Sequence, residues 1–107
     1  MILDSDVEAA IQSLIDNADK DAQRLADKIY VTEYRKVIKS NIMRENKSES
    51  VGAQEAIAYS DPRYTAHLEI IKEAVFQSAK SDFLRAGADA KIRAWQTQES
   101  SRRALKV

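Results

Sequence analysis

Ser60-Asp61-Pro62-Arg63-Tyr64 decides how this chain folds, because it holds the only proline in 107 residues. The residue before a proline avoids helical angles, and proline itself suits the first position of a helix. Pro62 therefore marks a helix start, with Asp61 or Ser60 in the capping place before it. Only two glycines occur elsewhere. With so few breakers and abundant Ala, Lys, Glu, Gln, Arg, Leu and Ile, the expected fold is all-α.

Downstream of Pro62 the pattern predicts one helix over about 62–105. Its stripe is Tyr64, Leu68, Ile71, Val75, Ala79, Phe83, Ala86, Ala90 and Ala94 or Thr97. A second row of Phe76, Leu84, Ala88, Ile92 and Trp95 widens the apolar face. Gly87 lies among Ala86, Ala88 and Ala90, where it reads as close packing in an alanine-rich crossing. Upstream, Ser48 or Ser50 caps a short helix over about 51–59, with Gly52 near its start marking a turn or close approach. Asn46-Lys47-Ser48-Glu49-Ser50 has no periodic apolar residue and reads as a break. Before it, Ile11, Ile15, Ala18, Ala22, Leu25 and Ile29 repeat with heptad-like spacing. That seam drifts to Tyr30, Tyr34, Val37 or Ile38, and Ile42, and predicts a helix over about 5–46, capped by Asp4 or Ser5.

Two long helices and a short connecting helix predict a single domain over 1–107, a long antiparallel hairpin. Folding about residues 52–56 would pair positions whose numbers sum to about 108, with Leu14 near Trp95 and Ile11 near Thr97. Charge supports an antiparallel pairing. Residues 1–34 carry eight acids and three bases, and residues 63–107 carry nine bases and five acids. Asp16, Asp19 and Asp21 would then face Arg85, Lys91 and Arg93, while Arg35, Lys36 and Lys39 would face Glu69 and Glu73. The apolar faces are wider than one hairpin can bury, so a dimeric four-helix bundle or coiled coil is expected, the alternative being that the 51–59 helix folds back and caps a monomeric three-helix bundle.

The zero net charge argues against bulk polyanion binding. With no cysteine, thiolate metal sites and disulfides are excluded. No apolar run spans a membrane and no signal peptide is evident, so a soluble cytoplasmic protein is expected. His67 is the only histidine, without i+3 or i+4 ligands, and reads as a partly exposed helix residue. No nucleophile triad or phosphate-cradling glycine loop occurs, so no enzyme, cofactor or metal is expected.

Two kinds of surface remain. The basic cluster Arg35, Lys36, Lys39, Arg44 and Lys47 is the candidate nucleic-acid contact. The bases Arg102, Arg103 and Lys106 read as a helix end or as partners of the acidic start. Tyr59, Tyr64, Phe76, Phe83 and Trp95 are the candidate protein interface. Trp95 alternatively closes the hairpin against Ile11 and Leu14.

Tyr34-Arg35-Lys36, the run Ala53-Gln54-Glu55-Ala56-Ile57-Ala58-Tyr59 leading into Asp61-Pro62-Arg63-Tyr64, Leu68-Glu69 with Lys72-Glu73-Ala74, and Ile92-Arg93-Ala94-Trp95 before Ser101-Arg102-Arg103-Ala104 carry a resemblance. Over residues 25–105 the chain resembles small helical accessory proteins of tailed bacteriophages and prophages. The Ala-Tyr-x-x-Pro-x-Tyr run at 58–64 is its most distinctive part. Such proteins are often encoded beside single-strand annealing or replication genes. The resemblance implies a non-enzymatic accessory protein that contacts a protein of DNA recombination or replication in a bacterial host cell. Direct nucleic-acid binding and inhibition of a host defence or replication enzyme are the alternatives.

Overall fold

The computed structural model describes residues 1–106; Val107 lies outside the described residues. It is all-helical, with no strand among them. The helices are α1 (Asp4–Asp16), α2 (Ala18–Glu45), α3 (Val51–Ser60) and α4 (Pro62–Leu105).

The long first helix expected over 5–46 is interrupted once. Asn17 leaves helical geometry at φ −99° and ψ 3°, and its side-chain amide donates to the Ser13 carbonyl at 2.8 Å. A short amide side chain that bonds to the backbone competes with the helical ladder, so the break falls there. The start also differs. Leu3 takes the capping position, and its N–H donates to Asp6 Oδ2 at 2.9 Å. The acid three residues into the helix thus supplies the capping bond.

Ser50 caps α3 by accepting the Ala53 N–H at 3.2 Å. Asp61 ends α3 in an extended conformation. Its Oδ1 accepts the Arg63 N–H at 2.8 Å, so it also caps α4. Pro62 is the first residue of α4. Ser60 has no part in that cap; its hydroxyl donates back to the Ala56 and Ile57 carbonyls.

The chain divides into two compact units. One is residues 1–23 with α4 from 79 onward; the other is residues 24–78. In the first, Val7 and Ala10 of α1 are buried, as is Ser81 of α4. The segment before α1 is tied to α4 by a reciprocal pair. The Ile2 N–H donates to Gln98 Oε1 at 3.0 Å, and Gln98 Nε2 donates to the Ile2 carbonyl at 2.8 Å. The Trp95 indole N–H donates to Asp4 Oδ1 at 2.8 Å. Trp95 therefore meets the start of α1 rather than Leu14, and the pairing in this unit is offset by about eight or nine residues from the expected sum.

In the second unit Ile42, Ala58 and Tyr64 form the core, backed by Ile38, Met43 and Ile57. His67 is buried rather than partly exposed, and its Nε2–H donates to the Val31 carbonyl at 2.6 Å. Within both units the partners run antiparallel: 2 with 98 and 4 with 95, then 31 with 67 and 45 with 63.

The inward-facing rows match the expected ones only in part: on α4, Tyr64, Ile71, Ala88, Ile92 and Trp95 face inward as expected. On α1 and α2 the buried and half-buried row is Val7, Ala10, Leu14, Asn17, Asp21, Arg24, Lys28 and Val31. The apolar seam of Ile11, Ile15, Ala18, Ala22, Leu25 and Ile29 is exposed. On α4 the inward row is Tyr64, His67, Ile71, Ala74, Ser78, Ser81, Ala88, Ile92 and Trp95, while Leu68, Val75 and Phe83 lie outward. Expected and observed rows share the same alternation of three and four, which fixes a period but not a phase. The observed rows of α4 are rich in small residues, which let neighbouring backbones approach. Their buried polar atoms are satisfied: among the described residues no buried side-chain N or O lacks a hydrogen-bond partner.

Candidate functional site

Three surfaces carry the candidate residues. The first surrounds the Ser60–Tyr64 corner of the second unit. Arg63 sits where α4 begins and reaches two carboxylates at once. Nη1 and Nη2 donate to Glu45 Oε1 and Oε2 at 2.9 and 2.7 Å. Nε and Nη2 donate to Asp61 Oδ1 and Oδ2, both at 3.0 Å. The planar guanidinium matches both forks. It holds the Glu45 and Asp61 carboxyls below the usual carboxylate range, and their side-chain hydrogen bonds raise its own pKa. Arg63 thereby clips the end of α2 to the start of α4.

Beside it, Tyr64 is buried in the core and meets the Tyr59 ring edge-on at 5.3 Å. Lys39 Nζ donates to the Tyr59 hydroxyl at 2.9 Å and lies 4.7 Å from the ring centroid. It is also 3.5 Å from Glu55 Oε1. The Tyr59 hydroxyl, and after it Glu55, hold the Lys39 ammonium above its usual pKa. The tyrosines flanking Pro62 thus serve the fold: one fills the core and the other anchors a lysine.

The candidate nucleic-acid residues are not gathered on one face. Lys36 pairs with Glu33 at 2.9 Å, and Lys39 is engaged as above. Arg35 and Arg44 are exposed but nine residues apart on α2, which places them on opposite sides of a helix with 3.6 residues per turn. Lys47 is exposed in the connection after α2. The expected pairing of Arg35, Lys36 and Lys39 with Glu69 and Glu73 does not appear in these ion pairs. Arg85 and Arg93 likewise pair within α4, with Asp82 and Asp89, and Arg102 pairs with Glu99. A neighbour one turn away on the same helix is the nearest acid available to each.

The second surface is a shallow apolar groove of the first unit, between α1 and α4. Ala9, Ala10 and Ser13 form one side, and Phe83, Leu84, Gly87 and Ala88 the other, with Lys91 at the rim. Phe83 is 78% exposed and Leu84 63%. A Cβ built on Gly87 meets nothing within 4 Å, so the expected close packing there is absent within the chain. Gly52 is equally open, and neither glycine has positive φ.

The third surface is a groove of the second unit between α2 and α4, walled by Val31, Ile70 and Ala74 and edged by Arg24, Asp27, Glu69, Glu73 and Gln77. Phe76, 59% exposed, lies on the outer side of the same α4 segment. The candidate interface residues therefore divide: Phe76, Phe83 and Tyr59 are exposed, Trp95 is half-buried and Tyr64 is buried.

No family model matches this chain, and neither a curated protein nor a solved structure is similar to it. No group of three or more His, Asp or Glu side chains among the described residues is placed to hold a metal ion. No helix among them is long and apolar enough to cross a membrane. The exposed apolar side chains were visible in the sequence as apolar residues. Their outward orientation was not.

Proposed function

We propose that the protein is a non-enzymatic, all-helical accessory protein that acts through protein–protein contacts and is completed by a second copy of itself. One observation carries this reading: the helices turn rows rich in small and polar residues toward each other and leave large apolar side chains outside. Exposed apolar surface of this extent is the usual mark of an interaction face. In the first unit, α1 and α4 are two helices with an open side, and two such pairs make a dimeric four-helix bundle. Phe83 is the knob and the Ala9, Gly87 and Ala88 floor is the hole. A two-fold contact needs both on the same surface, which this groove provides.

The resemblance to phage accessory proteins supplies the biological setting, contact with a protein of DNA recombination or replication in a bacterial host. Direct nucleic-acid binding is the weaker reading, because Lys36 and Lys39 already have partners and Arg35 and Arg44 diverge.

Sedimentation equilibrium tests the assembly. The wild-type chain is expected to be dimeric at micromolar concentration, and Phe83→Glu to be monomeric with its helix content kept. A wild-type chain that stays monomeric across that range overturns the reading. Arg35→Glu with Lys39→Glu is expected to leave DNA mobility unchanged at low salt; a shift of the wild-type chain alone would favour the nucleic-acid reading instead.

A further inference from the structure

The groove of the first unit constrains the direction in which a second copy can enter it. Phe83 and Gly87 both line it, four residues apart on α4, which is about 6 Å along the helix axis. Ala88 and, from α1, Ala9 extend the floor. Because 2 pairs with 98 and 4 with 95, Ala9 lies level with about residues 90–91. The floor therefore lies toward the C-terminal end of α4 from the Phe83 knob. In a two-fold pair each Phe83 must reach the other copy's floor. Parallel α4 helices would set Phe83 level with Phe83, one turn short of Gly87. Helical side chains lean toward the N-terminus of their own helix, which would take each ring further from the floor. Antiparallel helices set Phe83 of one copy level with Gly87 of the other, and the same lean carries the ring on toward Ala88 and Ala9.

The same side of α4 carries two cations. Lys80, Leu84, Gly87 and Lys91 recur at intervals of four, three and four, the spacing of one line along a helix. Lys80 and Lys91 are exposed, and neither joins an ion pair among the described residues. Once Phe83 is level with the partner's Gly87, positions whose numbers sum to about 170 lie level with each other. Lys80 of each copy then falls within one residue of the partner's Lys91. A two-fold between antiparallel helices brings the same side of each together, so these lysines meet rather than diverge.

We propose that the two copies meet with their α4 helices antiparallel, the two-fold axis passing between Phe83 and Gly87, and that Lys80 of each copy lies beside the partner's Lys91. This rests on the reading that a second copy fills this groove. The contact is isologous, so both lysine pairs form together and both oppose the apolar contact. Lysine at these two positions thereby sets how tightly the copies hold each other.

Charge reversal and cysteine linkage in the full chain test this. Lys91→Glu makes both contacts opposite-charge pairs and is expected to tighten the dimer several-fold in sedimentation equilibrium, as is Lys80→Glu. The double reversal restores like charges and returns the wild-type affinity. Parallel helices would set each new glutamate beside its own counterpart, so neither single reversal would tighten the dimer. The chain has no cysteine of its own. An oxidised mixture of Lys80→Cys and Lys91→Cys chains is expected to form a mixed disulfide dimer. Neither chain alone is expected to link, because identical positions lie roughly 15 Å or more apart along the antiparallel helices. Far-ultraviolet circular dichroism like that of the wild type shows that each variant folds. A link between identical positions, a dimer whose mixture forms no mixed link, or a single reversal that fails to tighten it overturns the proposal and leaves the dimer standing. A wild-type chain that stays monomeric overturns both.

Discussion

Arg63 holds the Ser60–Tyr64 corner together by binding two carboxylates at once, Glu45 of α2 and Asp61 at the junction of α3 and α4. Because Glu45 and Asp61 have depressed folded-state pKa values, the stability they contribute is present above the ordinary carboxylate range and is lost as pH falls through their folded values. The thermal midpoint of the wild-type chain is therefore expected to drop more between neutral pH and about pH 3 than that of Arg63→Ala, in which the clip is absent at both. Equal drops would show that the clip contributes nothing measurable. Gly87 gives a second residue-scale prediction. A Cβ there meets nothing within 4 Å of the chain, and leucine raises helix propensity by close to the ~1 kcal/mol that separates glycine from good helix formers. Gly87→Leu is expected to leave the isolated chain as stable or more so, yet to abolish the proposed dimer in sedimentation, because it would fill the floor assigned there to the partner's Phe83.

At the scale of elements, the helix ends are set by short side chains. Ser50 caps α3, and Ser50→Ala is expected to cost about 1 kcal/mol in urea unfolding. Asn46 satisfies the end of α2 by donating its amide to the Ile42 carbonyl at 2.9 Å. The start of α1 is held differently, by Gln98 and Trp95 reaching from α4 to Ile2 and Asp4. Gln98→Ala removes both bonds to Ile2. Faster amide hydrogen exchange over the first turn of α1 is the expected outcome, with exchange around the Ile42 core unchanged. Unchanged exchange at α1 would mean that Trp95 alone holds it.

For the whole molecule, the small core bears on stability. Its fully buried large side chains are few, Ile42 at 1% exposure being the principal one. On the proposed dimer, a chain near 100 residues with so little buried apolar surface is expected to gain part of its stability from association. The thermal midpoint of the wild-type chain is expected to rise with protein concentration, and that of Phe83→Glu to be lower and independent of it. A concentration-independent wild-type midpoint would mean that each chain is stable alone. Against the expected complementarity between the two long helices, many of the ion pairs lie one turn apart on one helix, while Arg63–Glu45 and Lys39–Glu55 link different helices.

The sequence by itself determined that the chain is helical and where the breaks before α3 and α4 fall, though not the break at Asn17. Pro62, Asp61 and Ser50 act on their immediate neighbours, and local chemistry is legible in a local string. It also determined that apolar rows recur at helical spacing. Only the tertiary structure decided which row turns inward. Adjacent rows on one helix share the same period, and the choice between them depends on how closely two backbones approach, which small residues such as Ala74, Ser78 and Ser81 permit. The same choice placed His67 inside, left Phe83 outside and moved Trp95 from Leu14 to Asp4. The candidate surfaces follow from that phase, which is why the residues that line them could be named in advance but not their grouping.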